Sequence, residues 1–274
     1  MFAPFMTNAW IAGTIVAVIA GVIGFFVVIR GNAFLAHAVP HGAFAGAAGA
    51  TLLGLNPLIG LGLFAMAGAL TISVLERHAR NDAITALALV TMLGLGALFV
   101  SRSTQYSAEI FALLFGQILG VSVAELVPMA ILGGLCLLAI GVVYRPLLLA
   151  STLPDTAAAR GINPRTMTVV FGFLLAAATT TSVPIVGALL MFALLVGPPA
   201  GASSMTRRPI IAIPLSVLFT LITMWSSIAL AYTINLPIGF FVTATGAGFY
   251  LIGRLAAWLR RRARSVPIGV RSSA

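Results

Sequence analysis

The sequence predicts an all-α integral membrane protein, a polytopic bundle of about nine spanning helices. Three observations predict it. Of the 274 residues, 61% are hydrophobic and only 7% are charged, against about 25% charged residues in soluble domains. Apolar runs of about 20 residues, long enough to cross a bilayer as helices, recur along the whole chain. Short stretches rich in Arg, Pro, Gly and Asn separate them. The length suits one transmembrane domain, residues 1–274, with no room for a large soluble one.

The first run is Trp10 to Ile29, ending at Arg30. The second is Asn32 to Leu53, closed by Gly54-Leu-Asn-Pro57. The third is Leu58 to Leu75, followed by a polar turn from Glu76 to Asp82 that holds Arg77, His78 and Arg80. The fourth is Ala83 to Val100. After Arg102 and Glu109 comes Ile110 to Leu119, too short and Gly-interrupted to span, which reads as a partial or re-entrant helix. The fifth span is Leu126 to Val143, before a loop over 144–165. The sixth is Thr166 to Thr181, closed by Ser182-Val-Pro184. The seventh is Ile185 to Met205, ending at Arg207 and Arg208. The eighth is Ile210 to Ile234, and the ninth is Pro237 to Leu259, before an Arg-rich tail over 260–274.

The net charge of +10 comes entirely from arginine, because the chain has no Lys. One set of span ends carries Arg30, Arg77, Arg80, Arg145, Arg160, Arg165, Arg207, Arg208 and the tail. The other carries only Arg102. The positive-inside rule then puts the N-terminus outside and the C-terminus in the cytoplasm, which requires an odd number of spans. Topology and anionic lipid account for the charge; a nucleic-acid partner would need a soluble basic face that the chain lacks. Without Lys there is no Walker A lysine and no Schiff-base lysine, so any ATP is used by another subunit. The single Cys136 forms no intrachain disulfide. No basic residue precedes Arg30, so the first apolar run lacks a signal-peptide n-region and is expected to stay.

The second span carries His37 and His41, the only ionisable side chains between Gly31 and Leu75. At i, i+4 they share one helix face. Small residues surround them, and Pro40 between them removes the donor that would bond the Ala36 carbonyl. His41 lies roughly 16 Å along the helix from Arg30, near the bilayer midplane. Ionisable groups at that depth are functional candidates. Two readings stand on chemistry alone: ligands on a transport path, or hydrogen bonds to a neighbouring helix.

In the cytoplasmic loop, Thr152-Leu-Pro154-Asp155 has the pattern of a capping box. Ala157 to Ala159 favour helix and Gly161 can close it. This predicts a short exposed helix over Leu153–Arg160, with an ordinary solvated turn as the alternative.

Four stretches together resemble the permease subunits of zinc and manganese ABC importers, a family related to the cobalamin and siderophore permeases. Val28-Ile-Arg30 through His37-Ala is similar to the family's Arg, then Asp-x-x-x-His segment. Leu114-Phe-Gly116-Gln-Ile-Leu119 is similar to its Leu-Phe-Gly-x-x-Leu element. Leu153-Pro-Asp155 with Ala158 and Gly161 resembles its coupling helix. Val186-Gly187 through Pro198-Pro-Ala200 resembles its Val-Gly-x-Leu-Leu-x-x-x-Leu-Leu-x-x-Pro-Ala run. Late in the chain, Asn235 precedes Pro237-Ile-Gly239 where the family has Asp. The resemblance covers most of residues 10–255.

It implies a type II ABC importer-like permease in the cytoplasmic membrane, working as a homodimer, with no cofactor of its own. A separate ABC ATPase subunit would dock at Pro154, Asp155, Ala158 and Gly161, and an extracytoplasmic binding protein would deliver Zn²⁺ or Mn²⁺ as cargo. His37 matches the family histidine, and Ala33 stands where the family has Asp. His41 adds a second imidazole one turn on, a ligand type that suits zinc, whereas carboxylate suits manganese. The alternative is the same machine moving a metal chelate or small organic solute. An intramembrane protease is disfavoured by the absence of His-Glu-x-x-His or paired intramembrane carboxylates, and a passive channel would bind no ATPase.

Overall fold

A computed structural model describes residues 4–75, 82–102 and 114–264. The described residues form ten α-helices and one 3-10 turn. They are α1 (Pro4–Arg30), α2 (Ala33–Leu52), α3 (Pro57–Leu75), α4 (Asp82–Arg102), the 3-10 turn Ile118–Gly120, α5 (Val123–Thr152), α6 (Pro154–Ala159), α7 (Pro164–Val186), α8 (Ala188–Met205), α9 (Pro209–Ile234) and α10 (Ile238–Arg264). Eight are long and apolar enough to cross a membrane. α2 is the ninth long helix, 20 residues; two histidines, a proline and three glycines lower its hydropathy. Nine long helices are thus present among the described residues, in line with the expected count of about nine. The polar turn at 76–81, residues 103–113 and the tail beyond 264 lie outside the described residues.

α1 runs through the middle of the bundle, packed on α5, α7, α8 and α9. Its core positions Val16, Ala17, Ile19, Ala20, Ile23 and Phe26 are fully buried. That suits a helix apolar on every face. α2 lies beside it, seated mainly against α3 and α4 and also touching α7 and α8. The closest seat is a glycine pair: a Cβ on Gly46 would collide with the Gly60 carbonyl of α3. Small residues let the two backbones meet, and in lipid such close packing supplies most of the association energy. α3 packs in turn on α7, and α8 on α10. Large aliphatic residues of α5, such as Leu135, Leu138 and Val142, point outward, as a lipid-facing helix requires.

Three expectations are corrected. α5 does not stop at Val143 but runs to Thr152 through Pro128 and Pro146, so the following loop is shorter. No capping box forms at Thr152: its hydroxyl donates back to the Leu148 carbonyl, inside the last turn of α5, and Leu153 becomes the N-cap of α6 without a side-chain bond. The acid-capped start lies instead at Ser122, whose N–H and hydroxyl both donate to Glu125 Oε2 at 2.8 and 2.9 Å. The sixth span does not end at Ser182-Val-Pro184; α7 continues to Val186 and breaks at Gly187. Gly187 has φ 86° and ψ 155°, a region open essentially to glycine alone. Of the 110–119 segment, expected as a partial or re-entrant helix, residues 110–113 lie outside the described residues; α-helix covers Leu114 and Phe115, the 3-10 turn starts at Ile118, and the chain between them crosses this break. Gln117 N donates to the Ile185 carbonyl at 2.9 Å, and a Cβ on either Gly116 or Gly187 would strike the other segment's backbone.

Candidate transport path

α2 carries the histidines without breaking. Although Pro40 cannot donate to the Ala36 carbonyl, the helix is continuous from Ala33 to Leu52, and Pro40 is itself buried among neighbouring helices. Ala33 is the first helical residue and half-buried; His37, one turn on, is half-buried; His41 is buried. The sequence-predicted pair is brought together: the two imidazole centroids lie 4.2 Å apart, with ring planes inclined by 38°.

One hydrogen bond fixes the second ring. His41 Nδ1 lies 3.0 Å from the His37 carbonyl. A carbonyl can only accept, so Nδ1 carries the proton and the Nε2 lone pair is left for an electrophile. Orientation of one imidazole nitrogen by a backbone carbonyl is how ligand histidines are commonly held. His37 Nδ1 is buried and has no hydrogen-bond partner among the described residues. Its ring lies instead against aromatic surfaces. Phe192 of α8 meets it edge-on at 4.8 Å, and Phe34 lies nearly parallel at 6.5 Å.

Two imidazoles make half of a four-coordinate shell. Among the described residues, no cluster of three or more His, Cys, Asp or Glu side chains exists. The arrangement therefore offers at most two imidazole nitrogens, and any further ligand would be water or a carbonyl.

At the other candidate element, Pro154 occupies the first turn of α6 and Asp155 sits in that turn, where an anion is favoured by the helix dipole. Ala157 is fully buried, while Pro154, Asp155 and Ala158 face outward. Gly161, at φ 76°, closes the helix. The short exposed helix is present as predicted, with its ends at Pro154 and Ala159.

Sequence reasoning used Arg30 as a topology marker and missed its contacts. Its guanidinium donates to Ser151 Oγ at 2.9 Å and to Thr168 Oγ1 at 2.7 Å, and it lies over the Phe171 ring at 5.1 Å. Ser151 precedes α6 on α5 and Thr168 follows it on α7, so one side chain holds both helices that carry α6. The available signal was chemical: an arginine ending an apolar span needs hydroxyl or carbonyl acceptors. Phe192 was likewise missed, since nothing in the spacing of an apolar run marks the residue that meets a histidine.

A multi-span helical bundle with a polar pair inside it and an exposed short helix at one end has the build of a membrane permease. The chain belongs to the ABC 3 transport family, whose model matches residues 2–257. It is 26% identical over 264 residues to the manganese import system permease protein ScaB of Streptococcus parasanguinis, covering 94% of this chain and 92% of that one. It is 27% identical over 253 residues to the manganese transport system membrane protein MntC of Listeria innocua, covering 92% and 88%. The solved structure of PsaBC from Streptococcus pneumoniae in complex with Fab superposes with a TM-score of 0.85 at 26% identity, covering 95% of this chain and 96% of that one. An inward-facing conformation of a putative metal-chelate type ABC transporter shares the fold, with a TM-score of 0.66 at 16% identity, covering 92% and 89%.

Proposed function

We propose that this chain is the membrane permease of an ABC importer for a divalent metal ion, with His37 and His41 on the ion's path. The observation that carries this reading is the imidazole pair, 4.2 Å between centroids, on a buried helix of a member of the ABC 3 transport family. Two permease copies would flank the path in the cytoplasmic membrane, N-termini outside and C-termini cytoplasmic. An extracytoplasmic binding protein would deliver the ion. A separate ATPase subunit would dock on Pro154, Asp155, Ala158 and Gly161 and hydrolyse the ATP, so this chain needs no catalytic residue.

In this reading the residues divide the work simply. The path offers the ion two nitrogens and no carboxylate, so binding is loose enough to release. His41 and the α2 residues directly after it are buried, which keeps water from that side of the pair. Motion of α6 on ATPase closure reaches α5 and α7 directly, and Arg30 ties both to the end of α1, three residues before α2 begins.

Ligand chemistry favours Zn²⁺, because imidazole suits zinc better than manganese. The names of the relatives favour Mn²⁺ as a second reading. Uptake of radioactive zinc and manganese, in cells producing the chain together with an ABC ATPase subunit and a metal-binding protein, tests both. The double variant His37→Ala/His41→Ala should lose uptake at normal expression. Normal uptake of both metals by that variant would reduce the pair to packing residues.

A further inference from the structure

A polar cavity of ≈ 480 Å³ lies at the arginine-rich end of the bundle, lined by none of the histidine-site residues. It sits where the C-terminus of α8, the N-terminus of α9 and the last turns of α10 meet. Its lining includes Arg207, Arg208, Arg260 and Arg261, with the polar Ser204 and Thr206. Arg260 donates to the Met205 carbonyl at the end of α8, which holds α10 against α8 and keeps the arginine cluster together. The positive end of the α9 dipole adds to the same field.

Among the described residues, no acidic side chain lines the cavity to balance this charge. No Asp or Glu follows Asp155 anywhere in the sequence. Four arginines lining one cavity give it a positive field that favours an anion. The surroundings say which kind. Ile210, the next residue but one after Arg208, is 78% exposed, and Leu259 and Trp258, just before Arg260, are 53% and 47% exposed. Arg262 stacks over the Trp258 ring at 4.2 Å, the pairing of aromatic and arginine found at a membrane interface. The arginines thus stand where an acyl-facing surface ends.

We propose that this cavity binds the phosphate headgroup of an anionic phospholipid, with the acyl chains running along the exposed apolar flank of α9 and α10. Bidentate guanidinium–phosphate pairing supplies the headgroup contacts. A water-soluble acidic partner would have no use for the exposed Ile210 and Leu259, which is why lipid is favoured over protein.

Native mass spectrometry of the full chain in detergent, with added phosphatidylglycerol or phosphatidylcholine of identical acyl chains, tests this. The wild type should retain one phosphatidylglycerol in preference to phosphatidylcholine. Arg208→Gln/Arg261→Gln should weaken that retention by about tenfold. Arg145→Gln/Arg160→Gln, which removes equal charge outside the cavity, should not. Arg261→Gln alone, an exposed side chain, serves where the double variant accumulates poorly, and should show the same change on a smaller scale. Equal retention of the two lipids, or equal loss in the cavity and control pairs, overturns the site. Displacement by excess inorganic phosphate would make it a small-anion site, and displacement by the purified ATPase subunit would make it a protein-docking surface; either overturns the lipid assignment.

Discussion

Position 33 is where the choice between metals is most open to test. Ala33, His37 and His41 follow one another on successive turns, roughly 6 Å of rise apart. Ala33→Asp would place a hard oxygen ligand one turn from His37, and manganese uptake should rise relative to zinc per folded protein. The desolvation cost of that carboxylate is partly offset, because position 33 is the first residue of α2 and a helix N-terminus favours an anion by about 0.3–1 kcal/mol. A ratio that stays flat would mean that position 33 does not face the cargo. The two histidines should also differ. His37 is half-buried and meets Phe192, whereas His41 is buried and tied to the His37 carbonyl. His37→Ala should therefore abolish uptake more completely than His41→Ala, since only His37 stands at the position matching the family ligand.

At the scale of elements, α6 separates a folding role from a docking role within two residues. Ala157 is fully buried and Ala158 is exposed. Ala158→Trp should leave the chain folded while blocking co-purification of the ATPase and uptake; Ala157→Trp should lower the yield of folded protein. If Ala158→Trp transports normally and still holds the ATPase, α6 is only a connector. The break between α7 and α8 makes a different prediction. At φ 86° and ψ 155°, Gly187→Ala should cost about 1–3 kcal/mol in backbone strain, beyond the clash with the Gly116 segment, and should appear as a lower melting temperature in detergent. An unchanged melting temperature would show that the crossing relaxes.

For the whole molecule, the arginine asymmetry predicts orientation. The turn after α2 and the α6 helix lie on opposite sides of the membrane in the proposed topology. Cys136 is buried at 4% exposure, so the native chain offers little background to a thiol reagent. Leu53→Cys, at a site 74% exposed, should react with a membrane-impermeant maleimide on intact cells. Ala159→Cys should react only after permeabilisation. The reverse pattern would invert the topology and move α6 away from any cytoplasmic ATPase.

Composition, run length and punctuation by themselves determined that the chain is a helical membrane bundle of about nine spans. The reason is that a helix in lipid must satisfy its own backbone, so each crossing leaves an apolar run of predictable length in the sequence. The i, i+4 spacing also determined that His37 and His41 share a face, because that relation is local to one helix. What depends on contacts between distant segments was not legible. Pro128 and Pro146 lie within a continuous α5 because tertiary packing tolerates the lost donors. The true break of the α7–α8 junction is set at Gly187 by a segment some 70 residues earlier, Leu114–Gln117. The clasp of Arg30 on Ser151 and Thr168, the edge of Phe192 on His37 and the gathering of four arginines at the ends of three helices each join residues far apart in the chain. Local pattern carries no record of such pairings; only the packing of the helices decides them.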